Sequence, residues 1–370
     1  MIMNKIARGF ILPSAAFTIK RSQIKFYQFS EKQPEPGDLI YGVISRIGRH
    51  SSLENASGRI HMIHDGTRAI FVFGNRYAPD FYEGLIPEQT LDEVDLLARS
   101  GMIGIVITKN SLVKDPTKVR ILGYVCDQMG NFLNTRSFPL IKPRNKAKTH
   151  PRAKMILICG TSMNSGKSMA AAACCWAMTS LGHKVRAAKV TGTASLKDIL
   201  LMNDAGARPY ADFTHLGYPS TYLLEQDQLL GIFNQLDLKY ANNPKNFWVV
   251  EIADGLIQRE TALLLSSTDV TSRIHKLIFC ANDAFGAIGG LSILREKFGL
   301  FPDLLSGLCS CSPLHVRELT AFTDIPVFNS AEPQISKLAG TLLGPNKHSK
   351  TRARAAADFS PASASTDKVV

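Results

Sequence analysis

The stretch that most constrains this chain is Gly160-Thr161-Ser162-Met163-Asn164-Ser165-Gly166-Lys167-Ser168. A short apolar run, 155–159, precedes it, and a helix-compatible run, 169–181, follows. Strand, glycine-bearing loop and helix in that order form the setting in which a phosphate-binding loop works. The reason is electrostatic. Polyphosphate is densely anionic and needs many donors at close range. A loop running into a helix offers unpaired backbone N–H groups and the positive end of the helix dipole. Gly160, Thr161, Asn164, Ser165 and Gly166 would form the cradle, with Gly166 letting the backbone approach an oxygen without a Cβ between them. Lys167 would bring a mobile ammonium to the outer phosphates, and Ser168 a hydroxyl to Mg²⁺. In the strict form of the pattern the first glycine stands one place later, where this chain has Thr161.

With 370 residues, of which 45% are apolar, the chain is long enough for about two domains, each with a core of its own. A net charge of +12 suggests a nucleic-acid binder until its distribution is read. Segment 1–25 holds Lys5, Arg8, Lys20, Arg21 and Lys25 without an acid; 142–154 holds Lys142, Arg144, Lys146, Lys148, Arg152 and Lys154, again without one; the tail from 346 is also basic. What is left is slightly acidic, so the excess sits in an end, a connector and a tail, and nucleic acid is not the expected partner. Seven scattered cysteines do not suggest a disulfide framework. Cys174-Cys175 reads as core filling, and Cys309-Ser310-Cys311 as a buried strand end rather than a metal site. A reducing, cytoplasmic location is expected. No apolar run reaches the roughly 18 residues a membrane helix needs. Segment 1–25 is acid-free, as import sequences are, but it has no clean amphipathic helix and reads as an N-terminal arm.

The expected organisation is an arm (1–36), a β-rich domain (37–141), a basic linker (142–154), an α/β domain (155–345) and a disordered tail (346–370). Short strand-like runs at 38–47, 59–63, 68–73, 101–107 and 119–125, with turns between them, predict a small barrel or sandwich; 91–99 reads as a short helix. From 155 onward, strands at 155–159, 184–190, 247–252, 276–280, 304–309 and 325–328 alternate with helices at 166–181, 196–203, 221–235, 258–266, 287–298 and 313–322. Short, nearly continuous apolar strands alternating with helices predict a doubly wound, mostly parallel α/β sheet.

In such sheets ligands collect at the carboxyl ends of the strands. Lys189 follows the second strand and could stabilise a second anion, although alone it reads as a solvated surface lysine. Asp204 could face Mg²⁺ opposite Ser168 or simply end a helix, with Asp198 and Asp212 as weaker candidates. The apolar run 247–250 leads into Glu251-Ile252-Ala253-Asp254-Gly255. A carboxylate there can hold Mg²⁺, orient a water or bind an amine; Glu251 is the stronger candidate and Asp254 the second, against an alternative as a helix cap and turn. Asn282 could read a nucleobase edge or form a plain turn. His215 has no evident partner in the sequence.

Together these residues resemble the dethiobiotin synthetase-like branch of the P-loop NTPases. Its Gly-Thr-Asp-Thr-x-x-Gly-Lys-Thr loop is matched by Gly160-Thr161 and Gly166-Lys167-Ser168, spacing included. Lys189-Val190-Thr191-Gly192 is similar to its Lys-Pro-Val-x-x-Gly without the proline, and Glu251 to Gly255 is similar to its acid and glycine-rich turn. The resemblance covers about 155–330. Ser162 replaces the loop aspartate, Ala253-Asp254 interrupts the glycine run, and the β-rich half is foreign to that enzyme. Ala205-Gly206-Ala207 and the Ser-Gly-Lys loop are also similar to the molybdopterin-guanine dinucleotide adapter family, and an uncharacterised bacterial family joins an N-terminal domain to a comparable P-loop domain. The resemblance implies ATP and Mg²⁺ as cofactors, Lys167 on phosphate, Ser168, Asp204 and Glu251 around the metal, and Lys189 near a small acidic or amine acceptor. It implies a ligase-like phosphoryl transfer to a carboxylate or carbamate, or alternatively a nucleotide-dependent switch or cofactor-assembly adapter. It also allows a homodimer in which a second subunit completes the site.

Overall fold

A computed structural model describes residues 3–144, 148 and 150–346. The N-terminal half is a nine-stranded, mixed sheet. Strands Thr117–Cys126, Leu39–Arg46, Arg68–Phe73, Met102–Lys109 and Glu93–Ala98 pair in that order, and Glu93–Ala98 pairs again with Thr117–Cys126, so the ring closes. The pairing of Met102–Lys109 with Arg68–Phe73 is parallel and the others in the ring are antiparallel. Alternation sorts the side chains. Ile40, Ile44, Phe71, Phe73, Val94 and Leu96 fill the interior. Leu39, Tyr41, Ile70, Val72 and Val125 face outward and are covered by Ile6, Phe10, Ala16 and Ile19. Strands buried on both faces explain why a run such as 69–73 reads as continuously apolar.

Two expectations change here. Residues before 37 were expected as an arm, yet Asn4–Lys5 and Phe26–Gln28 add strands to the sheet edge. Their cations Lys5, Arg8, Lys20 and Lys25 stay exposed while the apolar residues between them bury, so the basic character belongs to one face of a packed segment. The segment 91–99, expected as a helix, contains the strand Glu93–Ala98. Its residues are good helix formers, but strands on both sides need a partner to close the ring, and tertiary pairing outweighs propensity. Asp95, which faces away from Val94 and Leu96, ion-pairs with Lys118 at 2.7 Å and accepts the Val106 N–H at 2.9 Å. Leu96→Ala is expected to cost about 2–5 kcal/mol in urea unfolding. A loss under about 0.5 kcal/mol, the level of a surface change, would place this side chain outside the core.

The C-terminal half is a six-stranded parallel sheet of β1 (Lys154–Gly160), β2 (Val185–Lys189), β3 (Tyr210–Asp212), β4 (Phe247–Glu251), β5 (Ile274–Cys280) and β6 (Leu304–Ser306), ordered β3-β2-β4-β1-β5-β6. Helices α1 (Lys167–Ser180), α2 (Leu196–Asp204), α3 (Gln226–Tyr240), α4 (Arg259–Ser266), α5 (Ala284–Phe298), α6 (Pro313–Thr320) and α7 (Ile335–Leu343) cover both faces. Ile156 and Ile158 of β1 pack with α1, α2 and α7. Met155, Leu157 and Cys159 point the other way, into the layer of α3 to α6. This is the doubly wound parallel architecture typical of P-loop NTPase folds. The edge strand β3 and helix α7 add to the expected elements, whereas 325–328 contributes one bridge, Val327 with Leu305.

The connector is anchored where it is described: Arg152 pairs with buried Asp237 at 3.0 Å, and Lys148 donates to Asn234 Oδ1 at 2.7 Å. Asn145, Lys146, Ala147 and Thr149 of the expected linker, and the expected tail beyond Asn346, lie outside the described residues. No helix among the described residues is long and apolar enough to cross a membrane.

Candidate functional site

β1 runs through the middle of the sheet and ends at Gly160, where the chain turns into the loop before α1. The loop is tied down at its margins. The Thr161 N–H donates to Cys280 O at 2.9 Å, and Ser165 O accepts the Leu308 N–H at 3.3 Å. Gly166 has φ 91°, and a Cβ there would lie 2.8 Å from the Gly307 Cα, so steric room and backbone conformation both demand glycine. Asn164, not a glycine, also sits in the left-handed region at φ 61°. Its side-chain N–H donates to Asp80 Oδ2 of the β-rich half at 2.5 Å, which holds it there. Between these ties, the N–H groups from Met163 through Ser168 donate to no protein acceptor among the described residues. Lys167, 6% exposed, folds back so that Nζ donates to Ser162 O at 2.6 Å. Burial lowers its pKa, an effect that Glu251 and Asp254 oppose.

A charged cluster lies against the first turn of α1. Ser168 Oγ donates to Glu251 Oε1 at 3.1 Å, and Lys189 Nζ stands 3.3 Å from the same oxygen. Lys189 also ion-pairs with Asp198 of α2. Parallel strand register accounts for the meeting, since Lys189 and Glu251 are direct neighbours on β2 and β4. Burial alone would lower Lys189, but Asp198 and Glu251 outweigh it and hold the ammonium above its ordinary range. Glu251 is 1% exposed; burial raises its carboxyl, and Lys189 only partly offsets this. For Asp198 the balance reverses: burial raises its pKa, but Lys189 overrides this and holds it below the usual range. The second oxygen of Glu251, Oε2, is buried without a hydrogen-bond partner among the described residues.

The remaining candidates separate. Lys189 is 8% exposed, so it is no solvated surface lysine. Asp204, expected near Ser168, is exposed at the opposite end of α2 from Asp198, about 9 Å along the axis at 1.5 Å per residue. It lines the same cavity, while Asp198 lies beside Ser168 and Lys189. Asp212 caps the turn after β3 through the Thr214 N–H at 2.9 Å and lies 2.9 Å from His215 Nδ1, which supplies His215 with a partner. Asp254 has φ 61° and faces the cavity, and burial raises its carboxyl. Next to it, a Cβ on Gly255 would fall 2.1 Å from Thr161 O, so this turn lies directly on the loop. Asn282 Nδ2 donates to Ser162 Oγ at 3.2 Å, which places Asn282 on the loop's first turn rather than in the cavity wall.

The loop and the cluster open into a cavity of about 980 Å³ whose opposite wall is the β-rich half. The two halves are stitched around it. Glu54 accepts the Leu196 N–H at 2.6 Å and the Ser195 hydroxyl at 3.1 Å, and Tyr222 donates to Glu83 at 2.7 Å. Arg49, Arg76, Phe81 and Arg99 line this second wall, and sequence reasoning did not single them out. They are far apart in sequence and converge only when the ring closes; the one local signal was an arginine near each of three turns.

No family profile and no curated protein matches the sequence. Among solved structures, the chain is similar to the signal recognition particle receptor FtsY from Elizabethkingia anophelis in complex with GDP, at 11% identity and a TM-score of 0.35, over 55% of this chain and 67% of that one.

Proposed function

We propose that the chain binds ATP with Mg²⁺ and transfers the γ-phosphoryl group to a small carboxylate or carbamate, giving an activated intermediate. The observation that carries this reading is the run of unpaired N–H groups from Met163 through Ser168, set beside the buried ammonium of Lys167. Main-chain donors left without acceptors at a helix N-terminus are costly unless an anion or water takes them. Lys167 adds a charge-assisted donor in the same concavity.

The residues also fit Mg²⁺. Ser168 and Glu251 lie side by side, and Glu251 Oε2 is a buried oxygen without a partner among the described residues. Among the described residues no three His, Cys, Asp or Glu side chains group as a metal cage. Mg²⁺ commonly takes one or two protein oxygens and completes its shell with phosphate and water. When bound it would neutralise phosphate charge, with Ser168 and Glu251 as the protein groups that hold it. Lys189, kept protonated by Asp198, would stand next to the transferred group and stabilise negative charge that develops there. Asn164 and Asp80 would keep the loop in its binding shape. The cavity is at the upper end of the roughly 300–1,000 Å³ of small-molecule sites, room for an acceptor as well as a triphosphate tail.

Purified protein incubated with Mg·ATP and a panel of small carboxylates and amines should release ADP faster when the right acceptor is present. Slow hydrolysis that no small molecule changes, but that a protein partner alters, would instead support a nucleotide-dependent switch. The two aspartates of α2 separate in the same assay. Asp198→Asn should lower turnover about 10–100-fold, the usual loss for a group that orients a reacting residue. Asp204→Asn should stay within about twofold, as surface changes do. Equal losses would return Asp204 to the site.

A further inference from the structure

The β-rich wall of the cavity contains a buried cation with no carboxylate at ion-pair distance among the described residues. Arg76 is 7% exposed, and among the described residues its Nε has no hydrogen-bond partner and its guanidinium forms no ion pair. Nη1 donates to Leu97 O and lies 3.3 Å from His50 Nε2, which uses part of its donor set. Asp254 across the cavity acts on the guanidinium, but not at ion-pair distance; a buried guanidinium with donors unspent and its nearest carboxylate that far off is unfavourable unless a ligand supplies negative charge at closer range. His50, 8% exposed, does not compete for that anion: burial and the neighbouring Arg76 pull its pKa down to about 3, so it is neutral. Burial likewise draws Arg76 down to about 10, which still leaves it charged.

The neighbours give the site its shape. Phe81 has two guanidinium groups over its ring, Arg49 4.9 Å and Arg76 5.2 Å from the centroid, and its ring stacks with His50 at 6.0 Å. Arg99 faces the same cavity. The nearby carboxylate Glu54 is spent on the N-terminus of α2. Asp80, adjacent to Phe81 in the chain, holds Asn164 of the loop, so this wall is registered against the phosphate loop across the cavity.

We propose that Arg76, with Arg49, Phe81 and Arg99, forms an anion subsite that takes the carboxylate of the acceptor, an organic acid whose apolar part lies against the Phe81 ring. The subsite rests on the phosphoryl-transfer reading, and it puts the acceptor's charge opposite the transferred group. Arg76 forms charge-assisted hydrogen bonds to a carboxylate, and the guanidinium geometry favours a planar, two-oxygen partner.

The test is a thermal-shift titration of the full chain with malonate, glutarate and benzoate, with and without a saturating non-hydrolysable Mg·ATP analogue. At least one acid should bind saturably, and Arg76→Gln should weaken that binding tenfold or more while changing analogue affinity less than threefold. Overturning results are that no acid binds the wild type, that the variant binds the acid as well as the wild type, or that it loses the analogue instead, which would assign Arg76 to the nucleotide. Acid binding that depends on Arg76 in a protein that ignores the analogue would keep the subsite and remove the nucleotide reading. If Arg76→Gln does not fold, Arg49→Gln, on an exposed side chain of the same wall, carries the test: threefold or greater weakening supports the subsite, and unchanged binding overturns it.

Discussion

Lys167→Ala is expected to weaken Mg·ATP binding at least about 100-fold, or about 2.7 kcal/mol, with little change in thermal stability. The ammonium is nearly fully buried and ends at the mouth of the loop, 2.6 Å from Ser162 O. Burial favours its neutral form and outweighs the opposing Glu251 and Asp254, so a phosphate would satisfy a charge the protein alone leaves poorly solvated. A hydrogen bond to a charged group contributes about 1.5–3 kcal/mol net, and this one adds the attraction of a multiply charged anion in a concave site. The fold should survive because alanine is a good helix former at the start of α1 and the ammonium makes no ion pair within 4.0 Å among the described residues. Calorimetric titration decides it, and affinity within twofold of wild type would remove the loop from the site.

Glu251→Gln is expected to leave nucleotide binding within a few-fold and to lower turnover roughly 10²–10⁴-fold, the usual range for a group that holds or moves a proton or charge during the chemical step. The side chain keeps its volume and one carbonyl oxygen that can still accept from Ser168. It loses the charge that Lys189 and Ser168 share at 3.3 and 3.1 Å. The pH dependence follows. Burial raises the Glu251 carboxyl in the metal-free protein, so the wild type should lose activity on the acid side as this group protonates and its hold on Mg²⁺ weakens. Glutamine cannot titrate, and the variant's residual activity should lack that acid limb. An unchanged rate would make Glu251 a purely structural residue at the end of β4.

What could be read in the sequence was local. The loop from Gly160 to Ser168 announces itself because its glycine, lysine and serine must be contiguous, and Lys189 and Glu251 stand out because each follows an apolar strand. Their meeting follows from parallel register between β2 and β4. Asp204 ranked ahead of Asp198 in the sequence, and neither residue type nor spacing could reverse that order. The two aspartates sit at opposite ends of one helix, and only the packing of α2 on the sheet decides which end points at Ser168. The ring was harder still. Segment 93–98 carries helix-forming residues and becomes a strand because its neighbours offer it two edges. Arg49, Arg76 and Arg99 had no common signal, since closure of the ring and its docking on the loop bring them together.

The central claim is that the loop captures a chain of phosphates. Its most direct measurement is a calorimetric comparison of Mg·ATP with adenosine on the unaltered protein. With main-chain donors and Lys167 engaged, the triphosphate should bind at least about 1,000-fold more tightly, about 4 kcal/mol. Equal affinities, or no binding of either, would contradict it.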